Sequence, residues 1–209
     1  MGRRGWGGSP PADDAEARRR IIEAAIRSVE TRGAAGTTLS SVAADLGVIR
    51  KTVYRYFAST EELFIAVSDV AADRFLAQFE AALPVEVDNV AEFLIEAVAY
   101  IVERVPAEPL LTVLLNGGYP TAYSERMLLP AQIARARKIL LSRRVDWAAL
   151  GYDARTLDEL VEHLIRVMHS LLLVPPDPPR TGQELRAYLR RWVGPALPTT
   201  APRPAPQSP

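Results

Sequence analysis

Apolar residues recur along this chain with helical spacing almost from end to end. Ile22, Ala25, Ile26 and Val29 fall at i, i+3, i+4 and i+7 and define one face of a first helix, closed near Gly33. Leu39, Val42, Ala43 and Leu46 repeat the spacing, with Thr37 or Thr38 placed to cap the N-terminus. Gly47 ends that helix where a tight turn is required. A third short helix is predicted over residues 50–57, and Ser59-Thr60-Glu61-Glu62 forms a capping box that opens a long helix to about residue 83, closed by Pro84. Further helices are predicted over residues 88–105, 110–115, 124–150 and 156–174, and a last one from the capping box Thr181-Gly182-Gln183-Glu184 to Gly194-Pro195. Pro130 either kinks the 124–150 helix or marks its first turn. Strand-like alternation is absent, so the expected fold class is all-α with about nine helices.

Within this pattern, the segment from Thr37 to Phe64 stands apart. Two short amphipathic helices separated by a glycine-containing turn describe a helix-turn-helix, in which the second helix lies in the major groove of DNA and the first crosses the backbone. Lys51, Tyr54 and Arg55 stand at i, i+3 and i+4 and share one face, while Val53 and Phe57 point the other way into a core. Arg50, Lys51 and Arg55 can neutralise phosphates or reach guanine edges, Thr52 can meet a thymine methyl or a phosphate, and Tyr54 and Tyr56 can donate to phosphate oxygens. Thr38 and Ser40 complete the candidate DNA-binding set. The same spacing also fits an ordinary corner of a helical bundle.

The charge distribution is uneven, by an amount that chance alone would also produce. The 25 Lys and Arg balance 25 Asp and Glu over the whole chain, yet residues 1–59 carry a net +4 and residues 60–209 a net −4. A basic end joined to an acidic remainder fits contact with a polyanion.

The matching residues Ile22, Ala24, Ala25, Gly33, Gly36-Thr37-Thr38-Leu39, Val42-Ala43, Leu46-Gly47-Val48, Thr52-Val53-Tyr54, Tyr56-Phe57, Ser59, Glu61 and Leu63 form a dense pattern over about 45 positions. In that pattern the chain resembles the TetR family (TetR/AcrR-like) of one-component transcriptional regulators. Two positions depart from it. Ile49 stands where a Ser or Thr usually opens the recognition helix, and Thr60 stands where a basic residue is common, with Lys51 a candidate to restore the charge.

The resemblance implies a homodimer that binds a pseudo-palindromic double-stranded DNA operator and is released by a small-molecule effector, most often as a repressor. It implies that Phe75, Phe79, Phe93, Tyr100, Tyr119 and Tyr123 lie on the helices that line the effector cavity, although aromatics at such spacing also serve as core. Leu164, Met168, Leu171, Tyr188 and Trp192 are the corresponding dimer-interface candidates, on two helices whose apolar faces could assemble a four-helix interface or pack on the subunit's own core. The expected layout is a flexible N-terminal arm over residues 1–15, a helix-turn-helix domain over 16–60, a helical effector-binding and dimerisation domain over 61–194, and a disordered Pro-rich tail over 195–209. Arg3 and Arg4 on the arm are candidates for a minor groove, against a plain disordered terminus. The cluster Arg135, Arg137, Lys138, Arg143 and Arg144 is read as a solvated face or an acidic-ligand site.

Other classes find little support. There is no cysteine, and the only two histidines, His163 and His169, are six residues apart on one helix and cannot share a metal. No nucleophile elbow, P-loop or dinucleotide fingerprint occurs, and Gly5-Trp6-Gly7-Gly8 lacks the P-loop lysine. The expectation is therefore a cytoplasmic regulator that is not an enzyme and needs no metal or cofactor. With no long apolar run, it is not expected to enter the membrane. The alternative is a regulator-like helical protein acting by protein–protein contact without specific DNA binding.

Overall fold

A computed structural model describes residues 5–197. Ten α-helices follow in order: α1 (Asp14–Arg32), α2 (Leu39–Leu46), α3 (Arg50–Tyr54), α4 (Thr60–Ala82), α5 (Val90–Arg104), α6 (Val113–Asn116), α7 (Pro120–Met127), α8 (Pro130–Leu141), α9 (Ala154–Leu173) and α10 (Gly182–Trp192). No β-strand is present among the described residues, only an isolated bridge between Glu86 and Arg144. None of the helices is long and apolar enough to cross a membrane.

The chain divides into two compact units. The first comprises the described residues up to Ala77 together with Val105–Glu125, and the second Gln78–Arg104 with the described residues from Arg126 on. The domain boundary expected at residue 60 therefore falls inside the first unit. The reason is local packing: the Phe64 ring meets Tyr119 edge-on at 6.1 Å, and a Cβ on Gly117 would lie 2.6 Å from that ring. The Asn116-Gly117-Gly118 segment is thus a packed turn, with Asn116 Nδ2 donating to Thr112 Oγ1 at 3.1 Å.

In the second unit α5 is the central helix. Phe93, Leu94, Ile95, Ala97, Val98 and Ala99 are all buried, so apolar surface wraps most of its circumference. Helices α9 and α10 pack against it. Leu157, Leu160, Val161, Leu164, Ile165 and Met168 on α9 are buried, as are Leu185 and Leu189 on α10. Along one side, Arg190 pairs with Glu92 at 2.8 Å, and Arg186 bridges Glu96 at 2.8 Å and Glu103 at 3.0 Å.

Several expectations give way to the structure. The single helix over 124–150 is two helices with an irregular segment after them. Pro130 has no N–H to continue α7, so it takes the first position of α8. α8 ends at Leu141 with Ser142 as its C-cap, beyond which Arg143 turns inward and is 8% exposed. Its guanidinium donates to the carbonyls of Leu83, Glu80 and Ile139, satisfying groups at the C-terminal end of α4. Arg137 pairs with Asp158 and Arg144 with Glu86. The 110–115 helix is reduced to Val113–Asn116. Thr181 makes no side-chain cap; the Glu103 carboxylate accepts from the Gly182 N–H instead, at 2.7 Å.

The described parts of the two ends carry local structure. Trp6–Gly8 forms a 3-10 turn, Arg20 donates to the Ser9 carbonyl at 2.6 Å, and a Cβ on Gly5 would meet the Gly47 carbonyl at 3.1 Å. Gly194–Ala196 forms another such turn, and Leu197 is buried. Arg3 and Arg4, and the tail from residue 198, lie outside the described residues.

Candidate nucleic-acid interface

Helices α1 and α2 are each stopped or started by a specific local device. The Asp13 side chain accepts from the Glu16 N–H at 2.7 Å and opens α1. Thr38 and Ser41 form a reciprocal capping box at the start of α2, each side chain accepting from the other's N–H at 3.0 and 2.9 Å. Gly47 closes α2 at φ 66°, ψ 25°, a left-handed conformation that L side chains disfavour, and this reverses the chain into α3. α3 begins after Ile49 with no side-chain cap.

A compact core fixes the three helices. Ile21, Ala25, Val42, Val53, Phe57 and Leu63 are fully buried. The Arg18 guanidinium covers the Phe57 ring at 4.6 Å from its centroid. Between α1 and α2, the buried Ser28 and Thr37 hydroxyls share a hydrogen bond at 2.7 Å, while Arg32 donates to Ser28 and pairs with Asp45. Such a polar tie fixes how α2 sits on α1.

The face of α3 away from this core is basic and exposed. Arg50, Lys51, Tyr54 and Arg55 all face solvent, Thr52 is half-buried, and Val53 opposite them is fully buried. Thr38 is exposed but its hydroxyl serves the capping box, and Ser40 is half-buried on α2. Tyr56, half-buried, turns toward α1.

Asp14 was not foreseen in this neighbourhood. Its Oδ1 accepts from the Tyr56 hydroxyl at 2.7 Å and from Arg55 Nη2 at 2.5 Å, and Arg55 also donates to Tyr56 while lying over its ring. The Tyr56 hydrogen bond, followed by the Arg55 charge, holds the Asp14 carboxyl below the usual range, and the same bond raises the Tyr56 phenol. Sequence periodicity carries no signal for a contact spanning this much of the chain. Ile49, singled out in the sequence where a Ser or Thr usually opens this helix, is 70% exposed immediately before α3.

The remaining candidates are divided between the two units. Phe75, Tyr119 and Tyr123 belong to the first unit, and Phe79, Phe93 and Tyr100 to the second. Within the second, the Phe79 and Tyr100 rings meet at 5.4 Å with their planes tilted by 48°, and Arg104 covers Tyr100. Burial pushes the Tyr123 phenol up to about 12. Of the dimer candidates, Leu164 and Met168 are buried by the protomer's own helices, Leu171 and Tyr188 are half-buried, and Trp192 is exposed. Among the described residues no group of three or more His, Cys, Asp or Glu could hold a metal ion.

Residues 21–67 match the family model described as bacterial regulatory proteins, tetR family. No match was found among curated proteins. Among solved structures the chain is similar to the TetR family repressor AlkX from Dietzia sp. strain DQ12-45-1b, implicated in biodegradation of n-alkanes, at 19% identity and TM-score 0.58, covering 90% of this chain and 97% of that one. It is similar to RolR in complex with resorcinol at 16% identity and TM-score 0.61, covering 90% of each chain. A third likeness, at 24% identity and TM-score 0.51, is to the multidrug binding protein EbrR complexed with imidazole, covering 91% of this chain and 99% of that one. These likenesses show a common fold.

Proposed function

We propose that this chain, which belongs to the tetR family of bacterial regulatory proteins through residues 21–67, is a transcriptional repressor that binds a pseudo-palindromic operator as a homodimer. The observation that carries this reading is the exposed face formed by Arg50, Lys51, Tyr54 and Arg55 on the second helix of a helix-turn-helix whose opposite face, Val53 and Phe57, is fully buried. Charged and hydrogen-bonding groups fixed in this way can neutralise phosphates and read base edges together. A dimer would place two such helices in successive major grooves. Binding in the cytoplasm, where bacterial DNA resides, would block a promoter that overlaps the site.

The test is association of the purified protein with DNA upstream of its own gene at several salt concentrations. Lys51→Ala is expected to lower the salt slope by about one per subunit, and Tyr54→Ala to weaken binding. Salt-insensitive binding, or none here and none to a random-sequence pool, would favour action by protein contact.

Release from the operator is assigned to a small, mainly hydrophobic effector. Paired aromatics such as Phe79 and Tyr100 would suit one, and the solved relatives of this fold include complexes with resorcinol and imidazole. The effector can shift the equilibrium only by its differential affinity for the DNA-competent and incompetent states. A panel of small aromatic compounds, scored for release of bound DNA, tests this part. Nothing in the proposed mechanism calls for catalysis.

A further inference from the structure

Ile49 is the most exposed large hydrophobic residue of the helix-turn-helix, at 70%, and it stands where the chain enters α3. Its side chain does no capping, and its backbone is extended, at φ −73°, ψ 147°. Its neighbours differ sharply: Arg50 and Lys51 on one side are exposed cations, and Val48 on the other is half-buried beside Gly5. An isolated apolar group flanked by cations is a poor docking site for another protein, which needs a contiguous apolar patch. It suits a surface that is anionic overall but carries single apolar groups.

The major groove of DNA is such a surface, because the thymine C5 methyl is the apolar group among its donors and acceptors. In a docked helix-turn-helix the N-terminal residues of the second helix are the ones that reach base edges. From these observations we infer that Ile49 reads a thymine methyl in each half-site and so is a specificity-determining residue, an inference that rests on the DNA-binding reading above. Its β-branched side chain holds a restricted χ1 and presents its methyl groups at little further entropic cost. Arg50 and Lys51 alongside supply phosphate or guanine contacts, so the half-site is read by one apolar and two cationic groups in succession.

The experiment begins with selection of duplexes from a random-sequence pool by the full-length protein. Each thymine of the recovered site is then replaced by deoxyuridine, which removes only the methyl group. For the wild type, one position per half-site is expected to lose about four-fold in affinity, the equivalent of one buried methyl-sized group. Ile49→Ala is expected to bind the thymine and uracil forms equally, and its melting temperature should match that of the wild type because the side chain is exposed. Ile49→Val should retain part of the preference. If no thymine methyl matters, or Ile49→Ala keeps the same preference, the inference is overturned while DNA binding stands. If the wild type enriches no sequence at all, the DNA-binding reading itself fails and the inference with it.

Discussion

The Tyr56 hydroxyl donates to Asp14 Oδ1 at 2.7 Å, joining the second residue beyond α3 to the first turn of α1. Arg55 shares that oxygen, so a carboxylate sits directly among groups expected to meet phosphate. Asp14 restrains Arg55 and would repel the phosphate backbone of a DNA docked on this face.

Asp14→Asn is therefore expected to tighten DNA association and to steepen its salt slope by up to about one per subunit, as Arg55 is released to a phosphate. Titration of fluorescent duplex at several salt concentrations checks this. An unchanged slope would mean that Arg55 stays held without the charge. The pH dependence follows from the depressed Asp14 carboxyl. A depressed folded value contributes stability that is present at neutral pH and lost as pH falls through that value, below the ordinary aspartate range. Tyr56→Phe removes the larger cause and should move the carboxyl titration, followed by NMR, back toward that range.

Helix content and the helix-turn-helix were legible because both are local. Spacing at i, i+3 and i+4 marks Ile22, Val42 and Val53 as inward, and Gly47 and Thr38 are turn and cap residues whose chemistry acts within a few positions. What was not legible depends on contacts far apart in sequence. Arg143 reads as one more surface cation beside Arg144, yet one is buried against the end of α4 and the other is exposed. Nothing local distinguishes them. Asp14 likewise sits in an acidic first helical turn, where a carboxylate is expected to favour the helix dipole and nothing more.

Arg143 is expected to be a large single contributor to the stability of the second unit. Arg143→Ala would leave the carbonyls of Glu80 and Leu83 without their donor. The cost should be about 2–4 kcal/mol, read by urea unfolding. Arg143→Lys restores the charge but not the forked geometry, and is expected to recover less than half. A full recovery would show that charge alone holds the site.

Tyr123 gives an alkaline signature. Its phenol is pushed from the ordinary value of 10.0 to about 12 by burial. Below about pH 10 both folded and unfolded states hold the proton. Between about 10 and 12 only the folded state does, so stability falls with rising pH at up to about 1.4 kcal/mol per unit. Tyr123→Phe should flatten that slope relative to the wild type when urea midpoints are compared across pH 9 to about 12. The difference between the two proteins is the measurement, because exposed tyrosines titrate in both.

The dimerisation candidates separate into two kinds, and they should respond differently to a charge. Leu164 and Met168 are buried by their own protomer, 6% and 9% exposed, so Leu164→Glu is expected to unfold the second unit outright. Trp192 is 68% exposed at the end of α10, one turn beyond the fully buried Leu189. An exposed tryptophan on the same element as a buried anchor is the kind of residue that carries binding energy at a protein interface. Trp192→Glu is accordingly expected to leave the circular dichroism spectrum unchanged and to raise the dimer dissociation constant by at least ten-fold in analytical ultracentrifugation. DNA binding should weaken in parallel, since a monomer engages one half-site and loses the gain from joining two. If the variant remains as dimeric as the wild type, the end of α10 lies outside the subunit contact, and the half-buried Leu171 becomes the next position to charge.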